Sequence, residues 1–232
     1  MKTIGLIGGM SWESTLEYYR LINEEVHAKL GGFHSARVLM HSVDFAEVEA
    51  MQQSGDWQAA GQLLADSAHR LEQAGADAIV LCTNTMHLCA DDIQQAVNIP
   101  FLHIADATGD AVVSAGLKHV GLLGTRFTME QDFYSGRLSR KFGLDVLTPP
   151  EKDRGIIHRV IYEELVHGII REESRREYKR IITGMVKSGA QGVILGCTEI
   201  GLLVKEADCD IPLFDTTRLH ADAAVDLMLK IG

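Results

Sequence analysis

The sequence predicts an α/β protein made of two similar halves, each a mostly parallel sheet with helices on both faces. Three observations lead there. Short apolar runs alternate with longer segments of helical periodicity, as expected of strands buried between helices. Three segments of the first half return in the second half in the same order. The composition, 46% hydrophobic and 23% charged over 232 residues, suits a chain that buries one large core or two smaller ones.

The elements follow in order. Ile4–Gly8 reads as the first strand. A helix is expected from about Ser14, where Ser14 and Glu17 match a capping box, and Tyr19, Ile22 and Val26 supply its apolar stripe. Arg37–Val43 reads as the second strand. Leu63, Leu64, Ala68 and Leu71 mark a second amphipathic helix that ends at Gly75. Ala78–Cys82 is the third strand.

The second half repeats this grammar. "GLIG" at Gly5 returns as "GLLG" at Gly121, "GADAIVL" at Gly75 as "GAQGVIL" at Gly189, and "IPFL" at Ile99 as "IPLF" at Ile211. The paired segments lie 116, 114 and 112 residues apart. One such match is generic to α/β chains; three in register indicate a duplication. Carried through the repeat, Thr83 is the counterpart of Cys197. Both stand where a strand hands over to the residues that start a helix, and ligands of open α/β sheets bind at that carboxyl end.

The bulk numbers restrict the partners. A net charge of −10 argues against nucleic acid and against an anionic membrane, both of which reward basic patches. No stretch has the length of a membrane span. The start, "MKTIGLIGGMSW", is too short and Gly-rich for a signal peptide, so a cytoplasmic location is expected. The four cysteines form no C-x-x-C pair, and no His tract has zinc spacing, so no metal is expected. Cys82, Cys89 and Cys209 read as small buried hydrophobes.

A thiol at the first turn of a helix is expected to have a lowered pKa, which makes Cys197 a candidate base or nucleophile. A cysteine-protease arrangement needs a His base with an orienting partner, and no His flanks Cys197. "GLIGGMS" lacks the G-x-G-x-x-G spacing of a dinucleotide site. Pseudo-symmetry offers another use. Equivalent side chains on opposite sides of one ligand suit inversion at carbon, one removing a proton and the other returning it. Asn84, Thr85 and Thr198 are candidate donors to a carboxylate, or simple helix caps.

At these residues the chain resembles the aspartate/glutamate racemases, the PLP-independent amino-acid racemases. The resemblance rests on "GLIGGMSWEST", on Asn84, Thr85 and His87 after the third strand, on "GLLGTRFT" and on "GCTEI". It implies two pseudo-symmetric flavodoxin-like domains, one of residues 1–103 plus about 216–232 and the other of 104–215, with the active site in the cleft between them. It implies a C-terminal helix over about Leu219–Ile231 packed on the first domain, no cofactor, a small acidic amino acid as substrate and a possible homodimer. Met10 and the pair Thr125 and Thr128 are placed by it on the rims of the site, and Gln52 at the distal end of the substrate. Arg126 is a candidate partner for a side-chain carboxylate or a solvated loop residue. Glu199 is a candidate to orient Cys197, or a helix-start acid.

The departure from that family is Thr83. Members carry C-N-T at the first turning point, where this chain has Thr83-Asn84-Thr85. Cys82 stands one position early, and adjacent strand residues face opposite ways. The expected enzyme is lopsided: Cys197 takes the α-proton of L-aspartate or L-glutamate, and Thr83 serves the other face, favouring L to D. The alternatives are a single-cysteine malonate-type decarboxylase, a cis–trans isomerase, or a weakened dicarboxylate-binding module.

Overall fold

A computed structural model describes residues 1–230 of the chain. The chain divides into two compact units, Met1–Ile104 with the segment from His220 on, and Ala105–Leu219.

In the first unit, β1 (Ile4–Gly8) is buried throughout. Helix α1 (Trp12–Leu30) follows, and its cap is Ser11, whose hydroxyl accepts the Ser14 N–H at 3.3 Å. The cap therefore stands three residues before the expected Ser14. Ser14 instead donates its hydroxyl to the carbonyls of Ser11 and Cys82, and Glu17 pairs with Arg20. The buried stripe is Tyr18, Ile22 and Val26, while Tyr19 is 48% exposed. One residue turns about 100° around a helix, so Tyr18 and Tyr19 cannot share a face. Tyr18 takes the inward place because its hydroxyl meets His220 Nδ1 at 2.8 Å.

Edge strand β2 is Val38–Ser42. Helix α2 (Phe45–Ser54), capped by Asp44, has no counterpart in the sequence reading. Helix α3 (Trp57–Gln73), capped by Asp56, leads to Gly75, whose φ of +97° only glycine adopts freely. Strand β3 (Ala78–Leu81) gives way to a 3₁₀ turn at Thr85–Cys89, then α4 (Ala90–Ala96) and β4 (Phe101–Leu102). The sheet is parallel, in the order β2-β1-β3-β4.

Strand alternation divides the core between the two faces. Ile7, Ile79 and Leu81 pack with Val48, Leu64, Ala68 and Ile93 of α2, α3 and α4. Leu6, Val80 and Cys82 pack with Tyr18, Ile22 and Val26, and with Ala221, Ala224, Val225 and Met228 of the C-terminal helix. That helix runs Thr216–Leu229; Ile231, where the sequence reading ended it, lies outside the described residues, as does Gly232.

The second unit repeats the plan. Helix α5 (Ile104–Ser114) leads into β5 (His119–Gly124), α6 (Arg126–Glu130), α7 (Asp132–Phe142) and β6 (Asp145–Leu147). Then come α8 (Glu151–Glu163), α9 (Glu172–Lys187), β7 (Gly192–Gly196), α10 (Ile200–Leu203) and β8 (Leu213–Asp215), with Thr216–Leu229 as α11. The order β6-β5-β7-β8 is that of the first sheet, and every pairing is again parallel. Leu123, Val193 and Leu195 pack on Ile157, Ile161, Tyr178 and Ile182 of α8 and α9. Leu122 and Ile194 are buried on the opposite face. Helices α5 and α7 meet at Gly109, where a Cβ would stand 2.4 Å from the Phe142 ring.

Tyr18→Phe is expected to destabilise the protein by about 1–3 kcal/mol, because it strands the buried His220 Nδ1 without its donor. Urea unfolding checks this, with the exposed Tyr19→Phe expected to change nothing measurable.

Candidate active site

The two strand-end turns are built differently. In the first unit Cys82 continues the ladder, donating its N–H to Ile7 O at 2.9 Å, and Thr83 N–H folds back to Leu81 O at 2.9 Å. Alternation sends the Cys82 side chain into the core against α1 and α11, and burial pushes its thiol far up. Cys82 is thus a packed hydrophobe on the face away from Thr83. Cys89 is likewise buried, its thiol pushed up to about 12 by burial and by the charge of Asp92, and Cys209 is half-buried.

Thr83 is 7% exposed, and among the described residues no group is hydrogen-bonded to its hydroxyl. Asn84 and Thr85, which open the 3₁₀ turn, are buried. Gln52, on α2, donates Nε2 to Met86 Sδ at 3.0 Å, one residue beyond Thr85. Met10 packs in the same cluster as Met86 and Val48 and is buried.

In the second unit β7 ends at Gly196, and Cys197, Thr198 and Glu199 follow, all buried. Glu199 Oε2 accepts from both neighbours, from Cys197 Sγ at 3.0 Å and from Thr198 Oγ1 at 2.6 Å. The expectation of a lowered thiol pKa is overturned. Burial raises the Cys197 thiol well above the usual range, and the charge and hydrogen bond of Glu199 raise it further. The amides of Glu199 and Ile200 pull the other way and do not prevail. The helix that follows, α10, has only four residues and brings little dipole to bear. Burial first, and the Glu199 carboxylate second, therefore decide the resting state, which is S–H hydrogen-bonded to Glu199.

Thr125 caps α6, accepting from Thr128 N–H at 3.3 Å, and the two hydroxyls are 3.2 Å apart, both buried. They adjoin the Cys197 turn: a Cβ on Gly124 would lie 2.8 Å from Gly196 O, and one on Gly196 would lie 3.3 Å from Thr128 Cγ2. Arg126 is exposed, and no carboxylate is bonded to it among the described residues, as for a solvated loop arginine. Tyr178 of α9 went unnoticed in the sequence. It is fully buried, donates to Ile157 O at 3.2 Å, and is held neutral by burial and by the nearby Cys197, Glu164 and Glu199. No signal within "REYKR" distinguishes it, because its neighbours come from distant segments.

The fold is a duplicated parallel α/β unit, with a hydroxyl turn in one unit and a thiol–carboxylate turn in the other. The sequence profile of the Asp/Glu/hydantoin racemase family matches residues 7–224, and the chain belongs to that family. It is 56% identical to a Yersinia pestis protein whose crystal structure is described as that of a candidate Asp/Glu racemase, with a TM-score of 0.93 and coverage of 99% of this chain and 100% of that one. An aspartate racemase homologue from Pyrococcus horikoshii is 35% identical, with a TM-score of 0.86 over 99% and 100% of the two chains. The broad-specificity amino-acid racemase RacX of Bacillus subtilis is 25% identical over 171 residues, 71% of this chain and 70% of that protein.

Proposed function

We propose that the protein is a PLP-independent racemase of aspartate and glutamate with two unequal faces: proton exchange is fast into the L-enantiomer and slow into the D-enantiomer, and the Thr83 face limits interconversion equally in both directions. The observation that carries this is the Cys197 Sγ–Glu199 Oε2 contact of 3.0 Å, set beside a threonine at the corresponding turn. Glu199 is placed to take the Cys197 proton. The resulting thiolate removes the α-proton of the L-amino acid, leaving a carbanion spread over the α-carboxylate. Thr83 delivers its hydroxyl proton to the other face of that carbon, and water restores it. A hydroxyl is a far weaker acid than a thiol, so Thr83 takes the α-proton of the D-enantiomer slowly, and passage through its face limits interconversion in both directions. Thr125, Thr128, Asn84, Thr85 and Thr198 supply short polar groups for the substrate carboxylates, and Gln52 lines the distal end. Family kinship to racemases supports the substrate class.

The test is incubation with L-aspartate or L-glutamate in D₂O, followed by chiral chromatography and proton NMR. D-product carrying α-deuterium is expected, with slow exchange into D-substrate. Equal exchange into both enantiomers would remove the asymmetry. Carbon dioxide release from a substituted malonate, without exchange in either amino acid, would make the protein a decarboxylase instead.

Glu199→Gln gives two readouts that move in opposite directions. Turnover is expected to fall about 10²-fold or more, because the thiol loses its proton acceptor. Thiolate absorbance at 240 nm, taken against Cys197→Ser, is expected to appear at lower pH. The sign follows from the causes: the charge and the hydrogen bond of Glu199 both hold the proton on sulfur. A parallel fall in turnover and rise in thiol pKa would refute the role.

A further inference from the structure

We propose that His87 is a positioning residue for Thr83. Its imidazole holds the Thr83 carbonyl, and with it the turn from which the Thr83 hydroxyl reaches the substrate. The inference deepens the reading of Thr83 given above and rests on it.

His87 Nδ1 lies 2.7 Å from Thr83 O, and His87 Nε2 lies 3.1 Å from the backbone N of Ile104. A backbone amide can only donate, so Nε2 must present its lone pair. A carbonyl can only accept, so Nδ1 must carry the proton. One neutral tautomer satisfies both contacts, and the geometry requires it.

The ring is also clamped. It is 1% exposed, packed against Phe101 with centroids 5.5 Å apart and planes 28° apart, and against His103 at 4.6 Å. Ile104 is the last residue of the first unit before the chain crosses to the second. His220, where the chain has just returned, bonds Leu102 O at 3.0 Å and the Tyr18 hydroxyl at 2.8 Å. The Thr83 turn is thereby braced against the whole Phe101–Ile104 segment.

Among the described residues, no side chain is hydrogen-bonded to the corresponding carbonyl of the other turn. Cys197 O is taken by a backbone donor, Ile200 N–H at 3.1 Å. The repeat places Gly201 at the position corresponding to His87. In the first unit His87 N–H goes to Asn84 O at 3.1 Å, so the segment winds as 3₁₀ and the side chain reaches back to the Thr83 carbonyl. A weak acid needs close placement to compete. A proton donor moved by about 1 Å can lose on the order of 10²-fold in rate.

The test separates the two faces. In D₂O with L-aspartate, the Cys197 face alone puts deuterium into recovered L-substrate, whereas D-product requires Thr83. His87→Leu removes both contacts. His87→Gln keeps an acceptor near Nε2 and loses the donor, and His87→Asn keeps a donor near Nδ1. The ratio of D-product to deuterated L-substrate is expected to fall about tenfold or more in the Leu and Gln variants and to stay close to wild type in the Asn variant. A merely structural His87 would lower both quantities together and leave the ratio unmoved, which overturns the proposal.

Should the Leu and Gln variants fail to fold, the tautomer of His87 in the wild-type protein decides. Long-range ¹⁵N NMR of the histidine side chains in the wild-type protein gives an independent reading. The Nδ1–H tautomer is expected for His87, and the Nε2–H form would overturn the contact. Absence of exchange and turnover in the wild type would sink the racemase reading by itself, and the tautomer would still show whether His87 holds Thr83.

Discussion

Cys197→Ser is expected to lower turnover of L-aspartate by about 10³-fold or more while leaving its binding nearly unchanged. Serine fits the same buried space and can still donate to Glu199 Oε2, so neither the turn nor the fold is disturbed. The chemistry changes because a serine hydroxyl is a much weaker acid than a thiol. Glu199 can relieve a thiol of its proton when substrate arrives, but a hydroxyl will not yield one. The resting thiol is held up by burial and by Glu199, so in the proposed mechanism its proton must move before catalysis begins. Chiral chromatography and deuterium exchange measure the loss, calorimetry measures the binding, and a urea midpoint equal to wild type certifies the fold. Retained exchange into L-aspartate would show that sulfur is not the base. A wild-type protein that binds dicarboxylates without turnover, and a serine variant that binds them equally, would make the chain a binding module.

Much of this arrangement was legible from residue order, and the parts that were not share a cause. The repeat of "GLIG", "GADAIVL" and "IPFL" carries the duplication directly, because equal sheets need equal apolar runs at equal spacing. It also pairs Thr83 with Cys197, and both prove to be buried strand-end residues. Helix α2 was missed although Phe45, Val48 and Met51 recur at helical spacing, because ten residues give a short pattern beside a long strand-and-turn signal. Ser11 and Ser14 are both good caps, and only the buried demand of Tyr18 for His220 decides the register of α1. The state of the Cys197 thiol was read with the wrong sign. A one-dimensional reading counts the amides of a helix start. It does not show that the helix lasts four residues or that Glu199 turns inward rather than into water. Tyr178 and the tie from His87 to Ile104 are likewise contacts between distant segments, which no local pattern announces.

Thr83→Cys is expected to raise interconversion, in both directions alike, and α-deuterium exchange into D-aspartate by about 10²-fold or more. The exchange is small in volume: threonine and cysteine differ by a methyl group and by sulfur for oxygen, and position 83 retains slight exposure. The chemical difference is large, since a thiol can be deprotonated by a neighbouring group or by solvent where a hydroxyl cannot. Cys82 cannot already be doing this work, because its side chain is packed between β3 and the helices on the far face. The gain should nevertheless stop short of symmetry. The repeat places Thr85 where the second unit has Glu199, so a thiol at 83 would lack the carboxylate that is hydrogen-bonded to Cys197. D-aspartate should therefore acquire α-deuterium in the variant more slowly than L-aspartate does. The D-exchange profile should climb with pH, because without an acceptor the new thiol ionises to solvent. If α-deuterium entered D-aspartate no faster in a folded variant than in the wild type, position 83 would not serve the second face, and the proton returned in the wild type would have to come from elsewhere.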